Sequence, residues 1–176
     1  MAANPATRAA PFSRGPAPRV RSAPARGQTL VIFAALIPVI ALFFLLALGL
    51  AALLDARAHA AYALGVATRA AARQVDYGAY GDDGTVQFND QVEVTARAVF
   101  SDALGLRPAG LAATPGHIAA GLEVRTGYGS RDSPWESPFV SGRQHYHPTV
   151  AVRAWVPVRV WMFAMQLPIV SETEVR

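Results

Sequence analysis

The 176-residue sequence contains no cysteine. That absence excludes a disulfide framework, a thiolate zinc site, an iron–sulfur cluster and a cysteine nucleophile, so a fold outside the cytoplasm has to stand on packing alone. Lysine is missing too: all 16 basic side chains are arginine, and alanine is abundant, a pairing that fits GC-rich coding better than a selected nucleic-acid surface. Five of those arginines precede residue 27 without one acid among them, which leaves eleven arginines against 12 acids in the remainder and a net charge of only +4. The basicity is local, and no nucleic-acid partner is expected. The 14 glycines form neither a P-loop nor a dinucleotide fingerprint, Ser141-Gly142 lacks the G-x-S-x-G elbow, and no D-x-S-x-S pattern occurs. With no catalytic constellation and no cofactor motif, the expected chain is not an enzyme and carries no cofactor.

Charge of either sign is absent from Gly27 to Leu54, and Leu30 to Leu54 is almost wholly apolar. A bilayer core of about 30 Å takes about 20 helical residues, and a soluble core helix rarely stays apolar on every side for so long. The run also exceeds the roughly 7–15 residues of a cleavable signal's apolar region, so 27–54 reads as a retained transmembrane helix. Arg8, Arg14, Arg19, Arg21 and Arg26 precede it, whereas Asp55 and Arg57 follow in a balanced region. The positive-inside rule then places the amino terminus in the cytoplasm and the remainder outside, in a single-pass topology. Residues 1–26 carry five prolines and few large apolar side chains, which makes them a disordered basic tail. Pro38 removes a backbone donor inside the span and is expected to kink it.

The helix is expected to run on. Asp55 to Val75 is rich in strong helix formers and free of proline, so 55–76 reads as an extracytoplasmic extension, and a helix from Gln28 to Val75 would measure roughly 70 Å. Ala56, Ala60, Ala63, Ala67 and Ala70 recur at steps of four and three, a stripe of small side chains that permits close approach of another helix. Residues 77–176 then read as a small α+β head. Tyr77 to Thr85 is a glycine- and aspartate-rich loop, and Asn89, Asp90 and Glu93 supply amino-terminal capping chemistry for a second helix over 90–105, stopped by Gly105. Asp82, Asp83, Asn89 and Asp90 do not follow an EF-hand spacing. Leu122 to Thr126 is a strand candidate, and 127–142 a long loop in which Trp135 and Phe139 are expected to fold back on the core.

The clearest strand is Thr149 to Phe163. Val150, Val152, Ala154, Val156, Val158, Val160 and Met162 share one parity, and Arg153, Trp155, Pro157, Arg159 and Trp161 the other, so the aliphatic set is expected on the core face, covered by the extended helix. Pro157 points to an edge strand or a bulge, and Pro168 to a turn before a final strand, 169–175. The apolar stretch around Trp161 to Pro168 is too short for a second span. His145 and His147 would share a side if extended, but two ligands do not define a metal site, and none is expected.

The stretch from Arg26 to Asp76, with its Arg26-Gly27-Gln28 element, early Pro38 and alanine-rich extension, resembles the amino-terminal module of the TadE/TadG-like proteins of tight-adherence (Tad/Flp) pilus systems. The resemblance covers roughly the first 75 residues and extends more loosely to the valine-rich strand. It implies a pilin-like fold, a role in pilus assembly as a minor pilin or pseudopilin, contacts with other pilin or assembly proteins through the amino-terminal helix, and a prepilin peptidase cutting between Gly27 and Gln28. Such a cut would make Ile32 the fifth mature residue, where pseudopilins usually carry glutamate. That departure shifts the resemblance towards the unprocessed TadG-like members. The reading outside this family is a membrane-anchored structural or sensory protein unrelated to pili.

Overall fold

A computed structural model describes residues 26–77, 85–108 and 110–175, with side chains from Leu30 onward. The basic tail expected to be disordered lies outside the described residues, as does most of the glycine- and aspartate-rich loop with Asp82 and Asp83. The chain divides into two compact units, 1–41 and 42–176.

The first unit contributes the start of helix α1 (Arg26–Ala72), which passes through Pro38 without ending. Side chains from Leu30 to Ala41 are exposed on every side of the helix, and among the described residues α1 is long and apolar enough to cross a membrane. A proline inside such a segment is tolerated because neighbouring backbone and local adjustment satisfy the freed carbonyl.

In the second unit α1 changes character. Below residue 49 its side chains stay exposed, but Ala56, Ala60, Ala63, Leu64, Ala67 and Ala71 are buried in one core. The helix stops at Ala72, short of the expected 75–76. Arg73 and Gln74 still donate to Ala70 and Ala71 carbonyls, after which Val75 turns extended and bridges Phe88, while Asp76 donates to Gln87 and Asn89 to Gln74. Once those backbone groups pair with the returning chain, the helical ladder has no partner left for them.

Helix α2 (Val92–Gly105) follows near the expected limits. The Asn89 side chain accepts from the Gln91 N–H at 2.9 Å, a turn that precedes the helix rather than a cap bond within it. Val92, Ala96, Phe100 and Leu104 fall at i, i+4, i+8 and i+12 and are all buried. A further short helix, α3 (Pro115–Ala120), adds to the one head helix expected; Thr114 is extended and Pro115 opens it, the arrangement proline prefers at a helix start.

The main sheet has three antiparallel strands in the order β1 (Glu123–Tyr128), β4 (Pro148–Val160), β5 (Phe163–Glu174). A separate two-stranded pair, β2 (Trp135–Glu136) and β3 (Gln144–His145), lies between β1 and β4 in sequence. The alternation in β4 emerges as expected from Val150 to Val158: Val150, Val152, Ala154, Val156 and Val158 are buried in the same core as the alanines of α1 and the apolar face of α2. The core set ends there, because the strand stops at Val160, which is half-buried, and Met162, expected on the core face, lies in the following turn and is exposed. This is the helix-on-sheet layering that buries both elements' apolar faces at once.

Two proline readings change. β4 is the central strand and pairs one-to-one with β5 across Pro157, so there is no bulge. β1 reaches only to Arg153, however, and beyond it the Pro157 carbonyl accepts from Ala112 at 2.8 Å on the side away from β5. The proline nitrogen faces that same side, where no strand needs its missing donor. Pro168 does not turn the chain; it sits inside β5 opposite Trp155, on an edge strand. The actual reversal is a two-residue turn at Trp161 and Met162, with Trp161 at φ 57°. A left-handed backbone costs an L-residue roughly 1–2 kcal/mol, and nothing in the sequence announces a turn without glycine or asparagine.

Candidate functional site

Two features of the head concentrate chemistry. The first lies on the outer face of the sheet, opposite the valines. Register places Ala151 beside Glu172 and Thr149 beside Glu174, and Gly127 beside Thr149. The segment bearing β2 and β3 folds over this patch. Trp135 covers Gly127 so closely that a Cβ there would lie within the indole ring, and Phe139 lies beneath the Arg153 guanidinium, 4.7 Å from its ring centre. Arg153 also pairs with Glu123 across the sheet at 2.5 Å. Both aromatics therefore cover the outer face of the sheet rather than folding back on the core as expected, because the valine face is already filled by α1 and α2.

Under this flap His145 is buried between two carboxylates. Its Nδ1 lies 3.0 Å from Glu174 Oε1 and its Nε2 3.0 Å from Glu172 Oε2. Both ring nitrogens are thus in hydrogen-bond contact with a carboxylate oxygen. Glu172, whose side chain is 1% exposed, also receives Arg143 Nη1 at 3.1 Å and the Ser137 hydroxyl. Burial pushes the Glu172 carboxyl up, but the hydrogen bonds from Ser137, Arg143 and His145, with the charge of His145, outweigh it and hold the group below the usual carboxylate range.

Ser137, His145 and Glu172 are not a nucleophile with its base. The serine hydroxyl donates to Glu172 and accepts from the Phe139 and Val140 amides, so it is not aimed at the imidazole. The cluster instead ties the flap to β5. His147 takes no part: it is exposed in the bend after β3 while His145 is buried. Among the described residues no group of three or more histidine, aspartate or glutamate side chains has the arrangement of a metal site.

No family model, curated protein or solved structure matches this chain.

The second feature is an apolar groove of about 390 Å3 between α1 and the β4–β5 turn, lined by Leu46, Gly49, Leu50, Trp161, Phe163 and Met165 among others. Gly49 is buried because the Val160 and Trp161 side chains come within van der Waals reach of it. The turn beyond stays open: Met162 is 86% exposed, Phe163 66% and Trp161 54%.

As for the residues singled out by sequence, Gly27 and Gln28 lie in the first turn of α1. Ala56, Ala60, Ala63 and Ala67 are buried in the chain's own core and Ala70 is half-buried. The close approach that the alanine stripe permits is thus made to the head of the same molecule. The ion cluster and the groove escape a reading of the sequence because their residues come from distant segments: Ser137, His145 and Glu172 are united by strand register and the flap, and Gly49 and Trp161 by the packing of α1 on the hairpin.

Proposed function

We propose that the chain is a single-pass, membrane-anchored pilus-assembly component of the TadE/TadG-like kind, a minor pilin or pseudopilin, with its amino terminus in the cytoplasm and its head outside. The observation that carries this reading is that one helix is first apolar on all sides and then becomes the alanine-faced spine of an α+β head. Membrane anchoring rests on the exposure of the apolar segment: a contiguous apolar surface from Leu30 onward is not stable in water. With the stripe turned inward, contacts to other pilin or assembly proteins fall to the exposed apolar side chains of residues 30–54 and to the outside of the head. The flap held by His145 and Glu172 gives that outside a fixed shape, as a docking subunit requires.

The reading is tested by deleting the gene and scoring surface filaments. Loss of filaments, restored by the wild-type chain, is the expected result; unchanged filaments leave a single-pass structural or sensory protein instead. Two further outcomes are expected. Reporter fusions should find residue 1 cytoplasmic and residue 176 external, because the five arginines precede the span. Any processing by a prepilin peptidase should be a single cut between Gly27 and Gln28. Amino-terminal sequencing of membrane-extracted protein that begins at Met1 or Ala2 would discard the pseudopilin version and keep the unprocessed TadG-like one.

A further inference from the structure

We infer that the β4–β5 turn is a second membrane-contacting element: Trp161, Met162 and Phe163 enter the leaflet on the head's side, and lipid acyl chains fill the groove between this turn and α1. The inference rests on the membrane reading of α1 and extends it to a part of the head.

Three independent observations converge. The first is the level at which charge disappears. On α1 the last charges before the apolar run are Arg57 and Asp55, and none occurs below them back to Arg26. On the hairpin the last is Arg159, after which no charged residue occurs until Glu172. These two limits lie at one height, because Leu106, Arg107, Gly110 and Leu111 join them. Leu106, Arg107 and Leu111 line a cleft with Asp55 and His59 of α1, while the Arg159 N–H donates to the Gly110 carbonyl at 2.7 Å and Leu111 bridges Val158. Helix and hairpin therefore become uncharged together.

The second is depth. Trp161 packs at Gly49, six residues below Asp55, or about 9 Å along the helix axis. Counting the roughly 20 residues that cross a hydrocarbon core from Leu30 also ends at Gly49. The turn thus falls at the boundary of that core, the zone tryptophan favours because its ring is apolar and its N–H finds polar partners. Arg57, Arg107 and Arg159 are exposed, in the headgroup zone just above.

The third is composition and conformation. The groove is lined by leucine, glycine, valine and the apolar turn side chains, with no group that would specify a polar ligand. The turn holds a tryptophan at a left-handed position that glycine or asparagine would occupy with less strain, and a methionine almost fully exposed beside it. Exposed apolar side chains at a turn are unfavourable in water and favourable in a bilayer interface.

Because the chain lacks cysteine, single-cysteine variants of the full-length protein report depth directly. Met162→Cys, Leu42→Cys and Ser133→Cys, all at exposed positions, are labelled with an environment-sensitive fluorophore and reconstituted into dioleoylphosphatidylcholine vesicles with or without lipids spin-labelled at shallow or deep chain carbons. The expected result is at least two-fold quenching at residue 162, stronger from the shallow label, with quenching at residue 42 and none at residue 133. If residue 42 is quenched while residue 162 behaves like residue 133, the turn stands clear of the bilayer and the inference falls with the anchor intact. A blue-shifted but unquenched label at residue 162 also overturns it, since a second copy or another protein then covers the groove. If neither 42 nor 162 is quenched, the membrane reading fails and takes the inference with it.

Discussion

His145→Ala should lower the stability of the full-length protein in detergent by about 3 kcal/mol, because it strips hydrogen bonds from a buried carboxylate and leaves a void beneath the flap. That corresponds to a fall of the unfolding midpoint on the order of 10 °C. The exposed i,i+4 pair of Glu93 and Arg97 provides the contrast: Glu93→Ala should cost no more than about 0.5 kcal/mol, since water replaces the lost partner. The same cluster sets an acid limit. Glu172 ionises more readily in the folded protein than in the unfolded chain. Its contribution is therefore complete above the unfolded carboxyl value of about 4.3 and is lost as pH falls through the lower folded value. Thermal unfolding measured from pH 7 down to pH 3 should steepen below pH 4 in the wild type and flatten in Glu172→Gln. Equal acid sensitivity in the two proteins would show that the cluster contributes nothing to stability.

Ala63→Leu and Ala67→Leu should each destabilise the head by about 1–3 kcal/mol, because both alanines have no exposed surface and the core opposite them is filled by valines and Phe100. Ala61→Leu, on the exposed side of the same helix turn, should leave the unfolding midpoint unchanged, since leucine is nearly as good a helix former as alanine. The comparison separates a core from a partner surface. If Ala63→Leu leaves unfolding untouched but lowers crosslinking to another membrane protein, the stripe serves an intermolecular contact and the packing described above is not the one that forms in the membrane.

Much of this architecture is legible in the chain. The apolar run reads as a span because no side of it is polar, and β4 reads as a strand because seven aliphatic residues alternate with polar and aromatic ones. Helix α2 is announced by Asn89, Asp90 and Glu93 before it and Gly105 at its end, although the Asn89 bond forms a turn ahead of the helix rather than a cap. The failures share a physical origin. A six-residue helix such as α3 is too short to establish a period, and two-residue strands such as β2 and β3 have none. Pro168 looks like punctuation because a sequence does not state which strand is an edge. The turn at Trp161 is invisible because its left-handed residue is an aromatic. The alanine stripe was visible as a contact surface, but its occupant was not, since small residues accept a neighbouring helix and the chain's own sheet equally well. The ion cluster depended on Ala151 and Glu172 being cross-strand neighbours, a matter of register that no local pattern encodes.

The shared core of α1 and the β4–β5 hairpin also dictates an order of events in synthesis. Ala56 and Ala60 leave the ribosome roughly a hundred residues before Val158 and Ile169, with which they are buried. The head's folding therefore waits on contacts of long sequence separation, which form slowly. Until β4 and β5 arrive, α1 stands with a bare alanine face above an apolar anchor, and each strand that emerges presents an unpaired edge. The nascent chain is thus most prone to wrong association before β4 and β5 have been made.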